Sequence, residues 1–443
     1  MSKTERQLSM QWLAESAKAF SSQQSNRIAM NASTRGVLEE VALNHSVISR
    51  ADWNFRQEVP VGNITNQKRA GICWMFAGLN WLRKFTMKKA GIEDFEFSAT
   101  YLVFFDKLEK TNRFLEDMIE LRDRPLDDRV VLHLLKDPIG DGGEWHLLAD
   151  LVEKYGLAPL AAMGDSTNRN DSALMNQVLG YKLREGACRI REAAGKGSSV
   201  KALRKLKMEL MGTIHRILTI LLGEVPTKFD FAFRNKKKKF FRDKNLTPQS
   251  FYQKWVGEDL GDYRVLMSAP LSDTPYGKTY CVERFQNVID SRKGAFLNVP
   301  IENVRDCAVN MLKKKQPVLF TCDVTQASHR KEGILDTSLL DYGLLFSTDF
   351  TLDRKSRLEY RQSALTHAMV LVGHDVDHSS ESRWKVENSW GPDAGHKGMF
   401  VMSDSWFLQY LFAILVHKKQ LSKAQNKAFE VPPTVLAPWH PLS

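Results

Sequence analysis

The chain has 443 residues, of which 43% are hydrophobic and 26% charged. That is enough for one large or several ordinary domains with a real core, and too apolar for a disordered chain. Its 63 Lys and Arg against 52 Asp and Glu leave a formal charge of +11, a weak long-range attraction for polyanions that solubility alone also explains. Cys73, Cys188, Cys281, Cys307 and Cys322 are scattered and never paired as C-x-x-C. A disulfide framework and a cysteine zinc site are therefore not expected, and a reducing, cytoplasmic setting is.

The first segment, MSKTERQLSMQWLAESAKAF, mixes charges into its apolar positions and offers no secretory h-region. No stretch approaches the roughly 18 uncharged apolar residues of a spanning helix, so no membrane partner is expected. Residues 1–50 read as helices with a break at Asn31 to Ser33, and a loop carrying Pro60, Gly62, Asn63 and Asn66 leads to Gly71. From Cys73 the run CWMFAGLNWLRKFTMKK is apolar nearly all round and then basic, which predicts a buried helix whose carboxyl end reaches solvent. Residues 97–260 are mostly amphipathic helix in pattern. After about 260, runs such as QPVLFTCDV, HAMVLVGHDV, SRWKVENSW and GMFVMSD read as strands. Helices first and sheet later give an α+β class. The tail VPPTVLAPWHPLS, with four prolines, should run extended.

Three islands carry reactive groups at the edges of apolar elements: NQKRAGICWMFAG, LTHAMVLVGHD and VENSWGPDAGHKGMF. Cys73 stands at a helix start, where free amides and the positive dipole end favour a thiolate and should lower its pKa; alone, such a cysteine is far more often a small buried hydrophobe. If the second and third islands form a hairpin turning through DHSSES, its midpoint falls between Asp377 and His378. His367 and Asn388 then lie directly opposite, close enough to hydrogen-bond. The amide oxygen would fix the imidazole tautomer, leaving the other nitrogen to work on a thiol, with Trp390 covering the bond. Singly, His367 is a core histidine and Asn388 a turn residue. Gln67, in the loop before the helix, can donate to an oxyanion together with the Cys73 amide.

Taken jointly, the Gln, the Cys-Trp after a glycine, the His and the Asn-Ser-Trp-Gly occur in an order that resembles the papain-like cysteine peptidases. The spacing narrows the likeness: 294 residues separate Cys73 from His367, whereas roughly 130 to 150 are usual. The longer subfamily that the chain resembles is that of bleomycin hydrolase and bacterial aminopeptidase C, also along DGGEWHLLADLVEKYGLAP, TPYGKTYCVERFQN and LAPWHP. The resemblance implies an α+β papain-like fold with a helical half bearing Cys73, a β-rich half bearing His367 and Asn388, a large mainly helical insertion and an extended C-terminal arm. Its parts are residues 1–109, 110–260, 261–430 and 431–443. It further implies a cysteine aminopeptidase acting on short peptides, catalysed by Cys73, His367, Asn388 and Gln67 without a cofactor, and assembled as a homohexamer.

Gly142 and Gly143 match the pair whose backbone runs beside the substrate in such enzymes, although a plain Gly-Gly loop is an equal reading. In the family the terminal carboxylate of the arm holds the substrate's amino group. Here the arm ends early, at Ser443, about three residues or roughly 10 Å short, which keeps an endopeptidase as the alternative. Lys236 to Lys239, flanked by phenylalanines, leave weak nucleic-acid binding as a second, non-enzymatic reading against that of a solvated loop. His374, Asp375 and His378 could form a metal-binding turn but more simply solvate a loop. The end of a phosphate loop imitated by Gly277-Lys278-Thr279 lacks its first glycine, where Ser272 stands.

Overall fold

The helix expected after Gly71 runs Cys73–Ala90 and ends on Gly91, whose φ of 63° only glycine adopts freely, with Lys88 and Lys89 in the last turn. The computed structural model describes residues 6–375 and 382–443. Most of the first half of this helix is buried, as its all-round apolar pattern requires. It packs between the sheet strand His367–Asp375 and the helix Trp145–Tyr155. A Cβ on Gly78 would lie 2.0 Å from a Leu148 methyl, so glycine sets how closely the two helices approach.

One large sheet forms the other half. Its central order is Tyr263–Met267, Leu411–His417, Val318–Cys322, His367–Asp375, Arg383–Glu387 and Met399–Ser403. Burial separates a core on the side of the Cys73 helix from a second one beneath the opposite face, around Trp384, Trp406 and Phe407. Both faces of His367–Asp375 are covered, which is why its sequence reads as a continuous apolar run. The insertion is built from helices Ala173–Gly195 and Val200–Leu222, packed against the helix Ala99–Glu120. There Glu116 accepts from Arg204 at 2.7 Å and from Lys207 at 2.6 Å.

Several local expectations are corrected. The first break comes at Gln23, between helices Met10–Ser22 and Gln24–Ser33, so Asn31 to Ser33 are helical. The expected division after residue 109 falls inside the continuous helix Ala99–Glu120. Strands begin before 260, because Phe229–Arg234 and Phe240–Leu246 form a hairpin; the alternation in FDFAFR carried that signal. Lys236 to Lys239 belong to its exposed turn. In the tail Thr434–Leu436 forms a strand, pairing in parallel with the strand Thr279–Val282 at the sheet's edge. Residues 437–443 curl instead: Ser443 N donates to His440 O at 3.0 Å, and Leu442 N to His440 Nδ1 at 3.2 Å. His440 supplies acceptors that an extended arm would have left to water. Among the described residues no helix is long and apolar enough to cross a membrane.

Candidate active site

Cys73, His367, Gly142, Gly143 and Ser443 line one cleft of about 600 Å3 between the two halves. The chain brings them there from a helix start, a strand start, a loop and the carboxyl terminus. Asn388 and Gln67 lie behind this surface, both buried.

Hydrogen bonding fixes the state of His367. Asn388 Oδ1 accepts from Ser389 N at 2.8 Å, so the atom facing His367 Nε2, at 2.9 Å, is the amide oxygen. Nε2 must then carry the proton, and in the neutral ring Nδ1 keeps its lone pair. The Trp390 ring lies 4.8 Å from the imidazole, inclined by 31°. The direct opposition of His367 and Asn388 is corrected. Val370 pairs with Glu387 and Leu371 with Val386, with an irregularity before Gly373, so the register runs two residues away from the symmetrical hairpin. A two-residue shift preserves side-chain parity, and the bond survives. The turn through Asp377 and His378 lies outside the described residues.

Burial pushes the Cys73 thiol up from its ordinary pKa, against the amides of Ala368, Trp74 and Cys73 itself, which oppose that shift. The lowered pKa expected from the helix start is thereby corrected: in a half-buried site desolvation of a lone thiolate outweighs the helix amides. Burial likewise pushes His367 down to about 4, with Asn388 opposing. Each charge is costly alone, so burial favours the neutral thiol and the neutral imidazole.

Gln67 is held through Ser389, a residue to which sequence reasoning gave no part. Ser389 Oγ donates to Gln67 Oε1 at 2.7 Å and Gln67 N to Ser389 O at 2.8 Å. Gln67 Nε2 spends one proton on Ala70 O at 2.8 Å and has a second to give. Arg83 and Glu387 form a buried ion pair directly before Asn388, tying the Cys73 helix to that strand.

Asp141 was also missed. Its carboxylate accepts from Gly71 N at 3.0 Å, from Asn176 at 2.7 Å and from the buried Lys107 at 2.7 Å, while its carbonyl accepts from Trp74 Nε1 at 2.8 Å. The glycine loop is thus clamped to the residues that flank Cys73, and Lys107 above all holds the Asp141 acid far below the carboxylate range. Gly143 must be glycine, since a Cβ there would meet the Trp74 ring at 2.5 Å, whereas beside Gly142 the space is open.

Among the described residues no cluster of His, Cys, Asp or Glu could hold a metal. Asp375 instead pairs with Arg56 at 3.3 Å and Arg383 at 3.4 Å, and His378 lies outside the described residues.

The family model of the Peptidase C1-like family matches residues 7–443. The chain belongs to this family. Aminopeptidase G of Lactobacillus delbrueckii subsp. lactis is 39% identical over 437 residues, 99% of each chain. Aminopeptidase C of Listeria monocytogenes is 39% identical over 388 residues, 88% of this chain and 87% of that one. Among solved structures, PepW from Lactobacillus rhamnosis HN001 is similar with a TM-score of 0.96 and 38% identity, covering 98% of both chains. The α+β fold, with its helical and β-rich halves meeting at the cleft, is accordingly the papain-like fold of this C1 family.

Proposed function

We propose that this C1-family chain is a cysteine aminopeptidase that removes N-terminal residues from short peptides. The observation that carries the reading is the His367 Nε2 to Asn388 Oδ1 bond of 2.9 Å, which leaves Nδ1 as a base in the cleft it shares with Cys73. In this reading the Cys73 thiol gives its proton to His367 Nδ1, and the thiolate attacks the peptide carbonyl. The Cys73 amide and the second Nε2 proton of Gln67 hold the oxyanion. The imidazolium protonates the leaving amine, and the neutral ring then activates the water that cleaves the thioester. Asn388 orients the ring throughout. The backbone of Gly142 and Gly143 runs beside the substrate.

The terminal carboxylate of Ser443 anchors the substrate's amine. What supports this over endopeptidase action is that Ser443 lines the cleft, with Leu442 buried and Trp439 stacked under Arg129 at 3.9 Å. A reducing cytoplasm suits the unpaired cysteines. Assembly into a homohexamer has its support in the amino-terminal helices, which bury none of their residues and expose Met10, Trp12 and Ile28. Nucleic-acid binding keeps only the exposed lysine turn at 236–239.

Hydrolysis of matched fluorogenic peptides with free and acetylated N-termini tests the function. Turnover is expected for free amines only and is expected to fall by at least about a thousandfold in Cys73→Ala. Equal cleavage of blocked peptides would remove the amine anchor, and full activity in Cys73→Ala would sink the mechanism.

A further inference from the structure

Glu144 follows the two cleft glycines and is extended, at φ −136° and ψ 179°, before the helix Trp145–Tyr155, which its side chain does not cap. Glu144 lines the cleft with Cys73 and His367, and its side chain is 22% exposed. It also lines a small hollow behind the cleft whose other walls are mostly apolar, among them Val265, Leu319, Ala413 and Leu415.

Among the described residues, the neighbouring cations are already committed. Arg113 and Arg284 are bound to Asp117. Lys110 lies 2.9 Å from Asp106 and donates to Gly142 O at 2.7 Å. The nearest basic atom to Glu144 is His146 Nδ1 at 4.0 Å, on a ring that burial keeps neutral, down at about 4. With no counter-charge, burial holds the Glu144 acid up at about 7, so an arriving cation would complete an ion pair that the folded chain leaves open.

We infer that Glu144 determines specificity by selecting substrates with a basic side chain, arginine or lysine, whose charge meets the carboxylate at the cleft. The inference rests on the peptidase reading above. The other side-chain carboxyl groups of the cleft fit this part less well: Asp117 is neutralised by its arginines and Asp137 is exposed to water.

The test compares kcat/KM for short fluorogenic peptides in which arginine or its neutral isostere citrulline occupies, in turn, each position before the scissile bond. At one position the wild type should favour arginine by about ten- to a hundredfold, as a charged hydrogen bond out of bulk water provides. That ratio should fall to near one in Glu144→Gln, persist in part in Glu144→Asp and stay intact in Asp137→Asn. No discrimination at any position in the wild type, or discrimination undiminished in Glu144→Gln, overturns the inference. The wild-type ratio decides the matter even if Glu144→Gln does not fold. Absence of Cys73-dependent cleavage across the whole series would instead overturn the proposed function.

Discussion

His367 enters the cleft from a strand paired on both sides, with Cys322 opposite it on one neighbour and the Asn388 amide behind it, so a backbone ladder and an aromatic cover hold that wall. The Cys73 wall has no such ladder. Its helix begins at Ile72 without a side-chain cap, and the glycine loop beside it is irregular backbone. There Asp141 and Lys107 do what strand pairing does across the cleft. Where backbone hydrogen bonds cannot repeat, a buried charge network supplies the geometry, and it does so with large penalties when one member is lost.

Removing the network should therefore produce the largest effect. Asp141→Ala leaves Lys107 buried without its carboxylate, although the carbonyls of Ile139 and Gly140 still accept from it and Asp106 still attracts its charge. A loss of about 3 to 5 kcal/mol is expected in denaturant unfolding. If the variant is still folded, KM for peptides should rise more than the rate of Cys73 alkylation by a small neutral reagent falls, because the loop moves and the thiol does not. An unchanged unfolding midpoint would show that the clamp is not what holds this wall.

Each wall holds a buried histidine whose pKa falls to about 4, His146 on one side and His367 on the other, and pH compares them. Burial pushes each down from 6.5. Between those values the unfolded chain binds the proton that the folded chain refuses. The stability is thus fully present above about pH 6.5 and falls as pH drops to about 4, by on the order of 3 kcal/mol per ring. Thermal unfolding across this window should show the fall. His146→Gln, which can keep a bond to Phe285 O, now at 2.8 Å, should flatten one share of it. A profile as steep as that of the wild type would assign the whole slope elsewhere.

The same contrast explains what the sequence made legible. Cys73, His367 and Asn388 stood out because each is a polar residue placed in or beside a strongly apolar element, and their order along the chain made the set specific. Counting inward from a symmetrical turn misplaced the register by three residues at Asp375, which the irregularity before Gly373 reduces to two, and the bond was still anticipated because an even shift keeps the side chain on the same face. Asp141 was invisible because an acid beside two glycines reads as turn chemistry, and the lysine that gives it meaning sits 34 residues earlier on another helix. The curl of the tail was hidden likewise: prolines announce extension, while the bonds to His440 that reverse it are visible only in three dimensions. The pKa of Cys73 went the other way because a helix start is a local feature, whereas burial depends on the whole cleft.

On the ladder side the smallest change is expected to alter chemistry rather than stability. Asn388→Ala removes the acceptor of the His367 Nε2 proton, but Trp390 still packs on the ring and the strand keeps its pairing with Val318–Cys322. The imidazole stays in the cleft while its tautomer is no longer fixed, so a fraction of the rings present Nδ1–H to the thiol and cannot act as base. A fall on the order of a hundredfold in kcat, about 2.7 kcal/mol, is expected, with KM little changed and a smaller shift in unfolding midpoint than Asp141→Ala gives. A loss confined to KM would mean that Asn388 shapes the substrate surface instead of the ring. The comparison would then reverse, with the ladder side needing its side-chain bond for geometry as much as the clamped side does.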